Sequence, residues 1–241
     1  MNAFGLVSRL LTSVGRTADT NKAQIRVSPF GEIINAPPFY LSGAVDGSLF
    51  FTTNATIGTA VAINAAAQAT FSATAPTFLI RNTDTLKDIT VRNLRLICSA
   101  IGTGVTSLDC LITTDTLNRY SSGGLLRTPL NVRADQSAAS ISQVYDATTA
   151  IVATAAGASA RNVGRGKIRT GSPNIGDVYG LLFGNDNIPE MGSLTGTTAQ
   201  KITVNLPPFI VPPGGTGLVY IWGAGQTAAP TYEYNIEHNE R

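Results

Sequence analysis

The C-terminal segment 201–241 constrains the fold more than any other part of this chain. Apolar and polar residues alternate from Ile202 to Leu206 and again from Tyr232 to Glu237, and this period of two is typical of β-strands with one buried face. Between these stretches, Pro212-Pro213-Gly214-Gly215 excludes a helix and favours a turn. The run from Leu218 to Trp222 has no alternation, which predicts a strand that is buried on both faces.

The rest of the chain repeats this pattern of short strands separated by Gly and Pro turns. Segments such as Leu49–Thr53, Thr77–Arg81 and Val178–Phe183 bring the number of strand candidates to roughly ten. We therefore predict an all-β fold, an antiparallel two-sheet sandwich of the jelly-roll type. This single domain would span residues 21–241.

The longest strand candidate is Lys87–Cys98. Its apolar residues change parity between Val91 and Leu94. Such a change predicts a β-bulge near Arg92-Asn93, or a strand that passes from one sheet to the other.

The two cysteines follow in what we expect to be a hairpin. A turn at Gly102-Thr103-Gly104 would place Cys98 directly opposite Cys110. Cross-strand Cβ atoms are about 4.5–5.5 Å apart, which is wider than the Cβ separation of about 3.8 Å in a disulfide. We therefore expect two buried free thiols that act as small apolar residues.

Two segments in the middle of the chain lack a clear strand pattern. Residues 115–143 contain the turn signals Ser121-Ser122-Gly123-Gly124 and Thr128-Pro129, so we expect a long loop there. Small side chains dominate residues 142–156, which we expect to form a pair of strands.

Residues 1–20 are expected to form a short amphipathic helix or an arm. Its apolar residues recur at helical spacing: Phe4, Val7, Leu10, Leu11 and Val14. Such an arm would pack on its own domain or dock on a neighbouring subunit. No apolar stretch reaches the roughly 20 residues of a membrane span, so we expect no membrane partner.

The chain carries few charges and one local concentration of basic residues. Charged residues make up 13% of it, against roughly 25% in an average protein, and the net charge is +2. A surface with so few charges favours a protein that is largely covered by neighbours.

Segment 161–170 holds the basic residues Arg161, Arg165, Lys167 and Arg169. We expect a solvated Gly-rich loop there, with a contact to an acidic partner surface as the alternative. Since no basic arm is present, direct sequence-specific nucleic-acid binding is not expected.

Residue types that carry catalysis or bind metals are sparse. His238 is the only histidine, and its place near the C-terminus predicts an exposed tail residue rather than the base of a Ser-His-Asp triad. Asn185-Asp186-Asn187 with Glu190 could bind calcium, but an Asx-rich turn explains them as well. The other carboxylates are too scattered to indicate a glycosidase pair. We therefore expect no enzymatic activity, no cofactor and no metal.

Four aromatic residues near the C-terminus have two interpretations. They are Tyr220, Trp222, Tyr232 and Tyr234. We expect them to pack in the core or in a subunit interface, where aromatic residues are enriched. The alternative is a platform on which sugars stack.

The C-terminal pattern resembles the end of structural proteins from bacteriophage virions. Those proteins often finish with a turn of the Val-Pro-Pro-Gly type, an apolar strand, a loop of small residues and an aromatic-polar strand ending in Glu. The corresponding parts of this chain are Phe209 to Gly215, Leu218 to Trp222, Gln226 to Pro230 and Tyr232 to Glu237. The resemblance covers the last part of the chain and includes no catalytic residues.

The resemblance implies a capsid or capsid-associated subunit, such as a decoration or cement protein, that acts by self-association and shell contacts. Its partners would be copies of itself, with a trimer favoured, and other virion proteins. The protein would be made in the host cytoplasm and would reside in the virion. The alternative is a lectin-like or receptor-binding sandwich module of a phage tail or fibre.

Overall fold

The structure, a computed structural model, describes residues 44, 46–54, 56, 58–62, 70–136, 139–155, 157–184 and 199–241. The predicted N-terminal arm, with Phe4, Val7, Leu10, Leu11 and Val14, lies outside the described residues, and so does the predicted Asx turn at 185–190.

Within the described residues the chain forms fourteen strands. They are β1 (Leu49–Thr53), β2 (Val61–Ala62), β3 (Phe78–Asn82), β4 (Ile89–Ala100), β5 (Ser107–Asp115), β6 (Tyr120–Arg127), β7 (Leu130–Asn131), β8 (Ser142–Ala153), β9 (Arg161–Thr170), β10 (Val178–Phe183), β11 (Lys201–Leu206), β12 (Phe209–Val211), β13 (Thr216–Ala224) and β14 (Thr231–Glu240).

The strands form two sheets that pack face to face, so the predicted sandwich is confirmed. The first sheet has the order β11-β10-β4-β14-β1-β7, with β12 paired to β4 and β2 paired to β14. The second sheet has the order β6-β8-β3-β13-β5-β9. The described pairs are antiparallel except for β10 and β11, which run parallel. Successive strands often change sheet, as β3, β4 and β5 do.

The core lies between the two sheets. The ring of Phe78 in the second sheet contacts that of Tyr234 in the first, with centroids 4.8 Å apart. Gly217 lets the sheets approach closely, because a Cβ atom there would lie 2.7 Å from the ring of Phe209. The strand β13 is buried along almost its whole length, as its unbroken apolar run predicts.

The predicted irregularity in the longest strand is a β-bulge. In the pairing of β4 with β14, Glu237 lies opposite Asn93 and His238 lies opposite Val91, so Arg92 is the extra residue. The bulge explains why the buried residues change parity between Val91 and Leu94.

The predicted hairpin between β4 and β5 is wrong, because the two strands belong to different sheets. Cys98 lies opposite Tyr232, and Cys110 lies opposite Ile221. The prediction of two buried free thiols is confirmed. Burial raises the pKa of Cys98 to about 11 and that of Cys110 to about 12.

The middle of the chain is more regular than expected. Residues 115–143 are not one long loop, since they contain β6 and β7, and the expected strand pair at 142–156 is the single strand β8. Gly123 and Gly124 are part of β6 and adopt φ angles of 71° and 70°. These glycines form an irregular strand with a register shift against β8, which is why they resemble a turn in sequence.

Candidate functional site

The aromatic residues Tyr220 and Trp222 lie on the outer face of the second sheet, in β13. Tyr220 is buried there, and its hydroxyl donates a hydrogen bond of 2.9 Å to the carbonyl oxygen of Ala73. Phe71 lies edge-on to both, with its centroid 5.0 Å from that of Tyr220 and 5.7 Å from that of Trp222. Trp222 is only partly buried and lines an open groove.

An open groove of about 520 Å³ runs across the outer face beside Trp222. We call it the Trp222 groove, and its main lining residues are Phe71, Leu111, Asn162, Arg165, Pro207 and Trp222. The strand register places Leu111 of β5 between Tyr220 of β13 and Arg165 of β9, and Trp222 lies two residues further along β13, opposite Asp109.

Two polar side chains line the Trp222 groove. Arg165 is exposed and has no hydrogen-bond or ion-pair partner among the residues that the structure describes. Asn162 lines the groove and accepts a hydrogen bond of 3.0 Å at Oδ1 from the hydroxyl of Thr113, so this bond does not use its Nδ2 donors. By contrast, the Nζ atom of Lys167, the next residue on the same face of β9, lies 3.9 Å from Oδ1 of Asp109.

The basic segment 161–170 is a strand, not the loop that its glycines predict. It forms β9, at an edge of the second sheet and paired with β5. Arg161, Arg165 and Lys167 are exposed, but Arg169 is fully buried and pairs with Asp177. Arg169 is therefore part of the interior and is not available for the contact with an acidic partner that we considered.

The remaining aromatic residues belong to the interior. Tyr232 and Tyr234 of β14 are 1% and 4% exposed, so they pack in the core and cannot contact another subunit. The hydroxyl of Tyr234 donates a hydrogen bond of 2.9 Å to Asp146 of the other sheet. Of the four aromatic residues predicted for an interface, Trp222 alone has an accessible ring.

His238 is not an exposed tail residue, because it lies in β14 and is fully buried between the sheets. Its Nε2 atom is 2.8 Å from the hydroxyl of Ser142 and 3.1 Å from Oε1 of Glu240. The ring stacks on that of Phe50, with centroids 5.8 Å apart.

The His238 cluster does not have the geometry of a catalytic triad. In a triad the serine and the carboxylate contact different nitrogens of the ring, whereas here Ser142 and Glu240 both contact Nε2. The Nδ1 atom is buried with no hydrogen-bond partner among the described residues. Since the ring is also buried, the cluster links β14 to β8 and offers no open site for a substrate.

A second concave surface lies on the outer face of the first sheet and is polar. We call it the Gly180 face. The row across the strands reads Thr53, Asn235, Arg95, Gly180 and Thr203. A depression of about 420 Å³ forms there, where Gly180 has no side chain. A Cβ atom at Gly180 would meet its nearest atom at 3.7 Å, so a larger residue can be accommodated.

Among the described residues, no group of three or more His, Cys, Asp or Glu residues could hold a metal ion. The same part of the chain contains no helix that is long and apolar enough to span a membrane. Comparison of the chain with protein-family models, with curated proteins and with solved structures gave no match.

Proposed function

We propose that this protein is a non-enzymatic structural subunit of a bacteriophage virion, in the shell or attached to it, that acts through self-association and contacts with other virion proteins. The observation that carries the proposal is a set of exposed apolar side chains on β6, on β7 and directly after β7. We call it the edge patch, and it consists of Leu125, Leu126, Leu130 and Val132.

The edge patch lies along one side of the sandwich, where each of the two sheets has an edge strand. Strand β6 is at an edge of the second sheet and β7 is at an edge of the first. Its side chains are 40–58% exposed. Edge strands with exposed apolar residues are templates for pairing with another chain, and monomeric proteins usually protect them with charges. Within residues 125–132 the one charged side chain, Arg127, is paired internally with Asp146 at 2.6 Å. Arg133 follows Val132 at the end of the patch, where it pairs with Asp135.

The C-terminal segment that resembles virion proteins lies at the centre of the fold. The C-terminal segment supplies β13 between β3 and β5 in the second sheet, and β14 between β4 and β1 in the first. A pattern that specifies the central strand of each sheet supports a shared sandwich architecture. The resemblance therefore favours a structural role, and the edge patch is the surface through which we expect it to operate.

The test is the mass of the full-length protein by light scattering over a wide concentration range, with electron microscopy of the same samples. We expect a closed oligomer, with a trimer favoured. The double variant Leu126→Lys/Leu130→Lys should shift the mass towards the monomer, because two buried like charges would oppose pairing at the edge.

The matched control is Leu86→Lys, since Leu86 is 88% exposed and lies in the loop between β3 and β4, which is not part of the edge patch. It should leave the mass unchanged. A monomer at every concentration, or an oligomer that the double variant does not weaken, would contradict the proposed mode of association.

A further inference from the structure

We propose that the Trp222 groove binds a saccharide that carries a carboxylate, with the apolar face of the sugar on the indole of Trp222 and the carboxylate on Arg165. This inference goes beyond the proposed structural role and does not depend on it. The groove has the size and the lining of a small-ligand site, since such sites measure about 300–1,000 Å³ and combine aromatic walls with a few polar groups.

The indole of Trp222 is held in place before any ligand arrives. Phe71 contacts it edge-on at 5.7 Å, with an angle of 62° between the ring planes. The same Phe71 packs on the buried Tyr220, which is anchored through its hydroxyl to Ala73. A partly accessible ring that is held in place loses little conformational entropy on binding, and its electron-rich face suits the C–H groups of a sugar ring.

Arg165 supplies the charge that selects an acidic sugar. It is the only charged side chain among the described residues that line the groove, and it has no partner there. A guanidinium matches the two oxygens of a carboxylate, and such charge-assisted pairs are stronger than neutral hydrogen bonds. An exposed, unpaired arginine beside an aromatic wall is therefore complementary to an anionic ligand of small size.

The spacing across the strands leaves room for a sugar between the two groups. Strand β5 separates β13 from β9, so at about 4.8 Å per strand the backbone of Arg165 lies about 10 Å from that of β13. Leu111 of β5 forms an apolar floor between them, and the amide of Asn162 can donate to a hydroxyl. A nucleic-acid strand would need several unpaired cations along this path, whereas the lining supplies one.

The test uses the full-length protein, because Trp222 is its only tryptophan and reports directly on the groove. Two acidic probes, 3′-sialyllactose and a hyaluronan tetrasaccharide, and neutral lactose are titrated up to millimolar concentrations while the fluorescence is recorded. We expect a saturable change with at least one acidic probe and a much weaker change with lactose. Added salt should weaken the acidic binding, since it screens the contact with Arg165.

Three variants locate the binding. Arg165→Gln should lower the affinity for the acidic probe about tenfold or more, because it removes a charge-assisted contact. Arg161→Gln removes the same charge from the same strand. The Arg161 guanidinium donates to the carbonyl oxygens of Ala158 and Ala160, outside the groove. The affinity of this variant for the acidic probe should therefore be unchanged. Gly180→Gln fills the polar depression of the other sheet and should also be without effect.

Trp222→Ala, followed by calorimetry, should abolish binding while the circular dichroism stays unchanged. The proposal is overturned if neither acidic probe binds, if lactose binds as well as 3′-sialyllactose, or if Arg161→Gln weakens binding as much as Arg165→Gln. The mass of Arg165→Gln is measured in parallel and should equal that of the wild type. A failure of this inference is thereby distinguished from a failure of self-association.

Discussion

Arg169 and Asp177 form an ion pair that joins the two sheets inside the sandwich. The Nη1 atom of Arg169 lies 2.7 Å from Oδ2 of Asp177, and both side chains are fully buried. The hydroxyl of Tyr179 donates to the same oxygen at 2.5 Å, and the backbone N–H groups of Asn174 and Gln200 donate to the carboxylate at 2.8 and 2.7 Å. The carboxylate is thus the centre of the network, and the arginine is one of several donors.

This arrangement predicts unequal effects when either partner is removed. Asp177→Ala leaves a buried cation without its carboxylate and should lower the free energy of unfolding by about 3–5 kcal/mol. Arg169→Met should lower the free energy of unfolding by less than Asp177→Ala does, because the carboxylate keeps its hydrogen bonds from the hydroxyl of Tyr179 and from two backbone N–H groups. Urea unfolding of both variants measures the difference. An equal loss, or a larger one for Arg169→Met, would contradict the central role of Asp177.

Glu240 predicts a dependence of stability on pH. Burial acts to raise its pKa, but hydrogen bonds from His238, Ser140 and the N–H of Ile141 outweigh burial, so the pKa lies below the ordinary value. A group whose pKa is lowered by folding stabilises the protein fully above the unfolded value of about 4.3. That contribution is lost as the pH falls through the lower, folded-state pKa.

Glu240→Gln should therefore reduce the free energy of unfolding at about pH 7 and reduce it less at about pH 3, where the wild type has lost the same contribution. The measurement is urea unfolding at several pH values between these limits. The control is Glu233→Gln, on the same strand but facing outwards at the surface. If both variants change the pH profile to the same extent, Glu240 is not the responsible group.

The strands were predictable where the local pattern is complete. Strand β14 follows from its alternation, and β10 and β13 follow from their apolar runs. The change of parity in β4 predicted an irregularity near Arg92, and the structure shows that it is a bulge rather than a crossing between sheets. The prediction that His238 is an exposed tail residue was wrong, although the sequence contained a signal for its burial. His238 continues the buried parity of Tyr232, Tyr234 and Ile236. Its polarity concealed this, since a buried histidine needs partners that only the fold supplies.

The strand partners and the Trp222 groove were not predictable from the sequence. The expected hairpin assumed that neighbours in sequence pair, whereas β4 and β5 pair with strands that are distant in the chain. In β9 the inward positions are Gly164 and Gly166, which face Leu206 and Val204, so no apolar alternation reveals the strand. Phe71 is a single aromatic residue in an Ala/Thr-rich segment, and its contact with Trp222 depends on the tertiary structure.

Two glycines with positive φ angles allow a matched test of strand β6. Gly123 has φ 71°, and a Cβ atom there would lie 2.0 Å from the carbonyl oxygen of Ala150. Gly214 has φ 67°, but a Cβ atom there would meet nothing within 4 Å. Gly214→Ala should therefore lower the free energy of unfolding by about 1–2 kcal/mol, which is the strain of a left-handed backbone.

Gly123→Ala should lower the free energy of unfolding by the same strain and by a further amount of about 1–3 kcal/mol, because the new Cβ atom clashes with the β8 backbone. Urea unfolding of the two variants gives the difference directly. Because the backbone of β8 is held on its other side by β3, we expect β6 to be the strand that moves, and the edge patch moves with it. Gly123→Ala should then weaken self-association while Gly214→Ala leaves it intact. Equal stability of the two variants would show that β6 can shift at no cost.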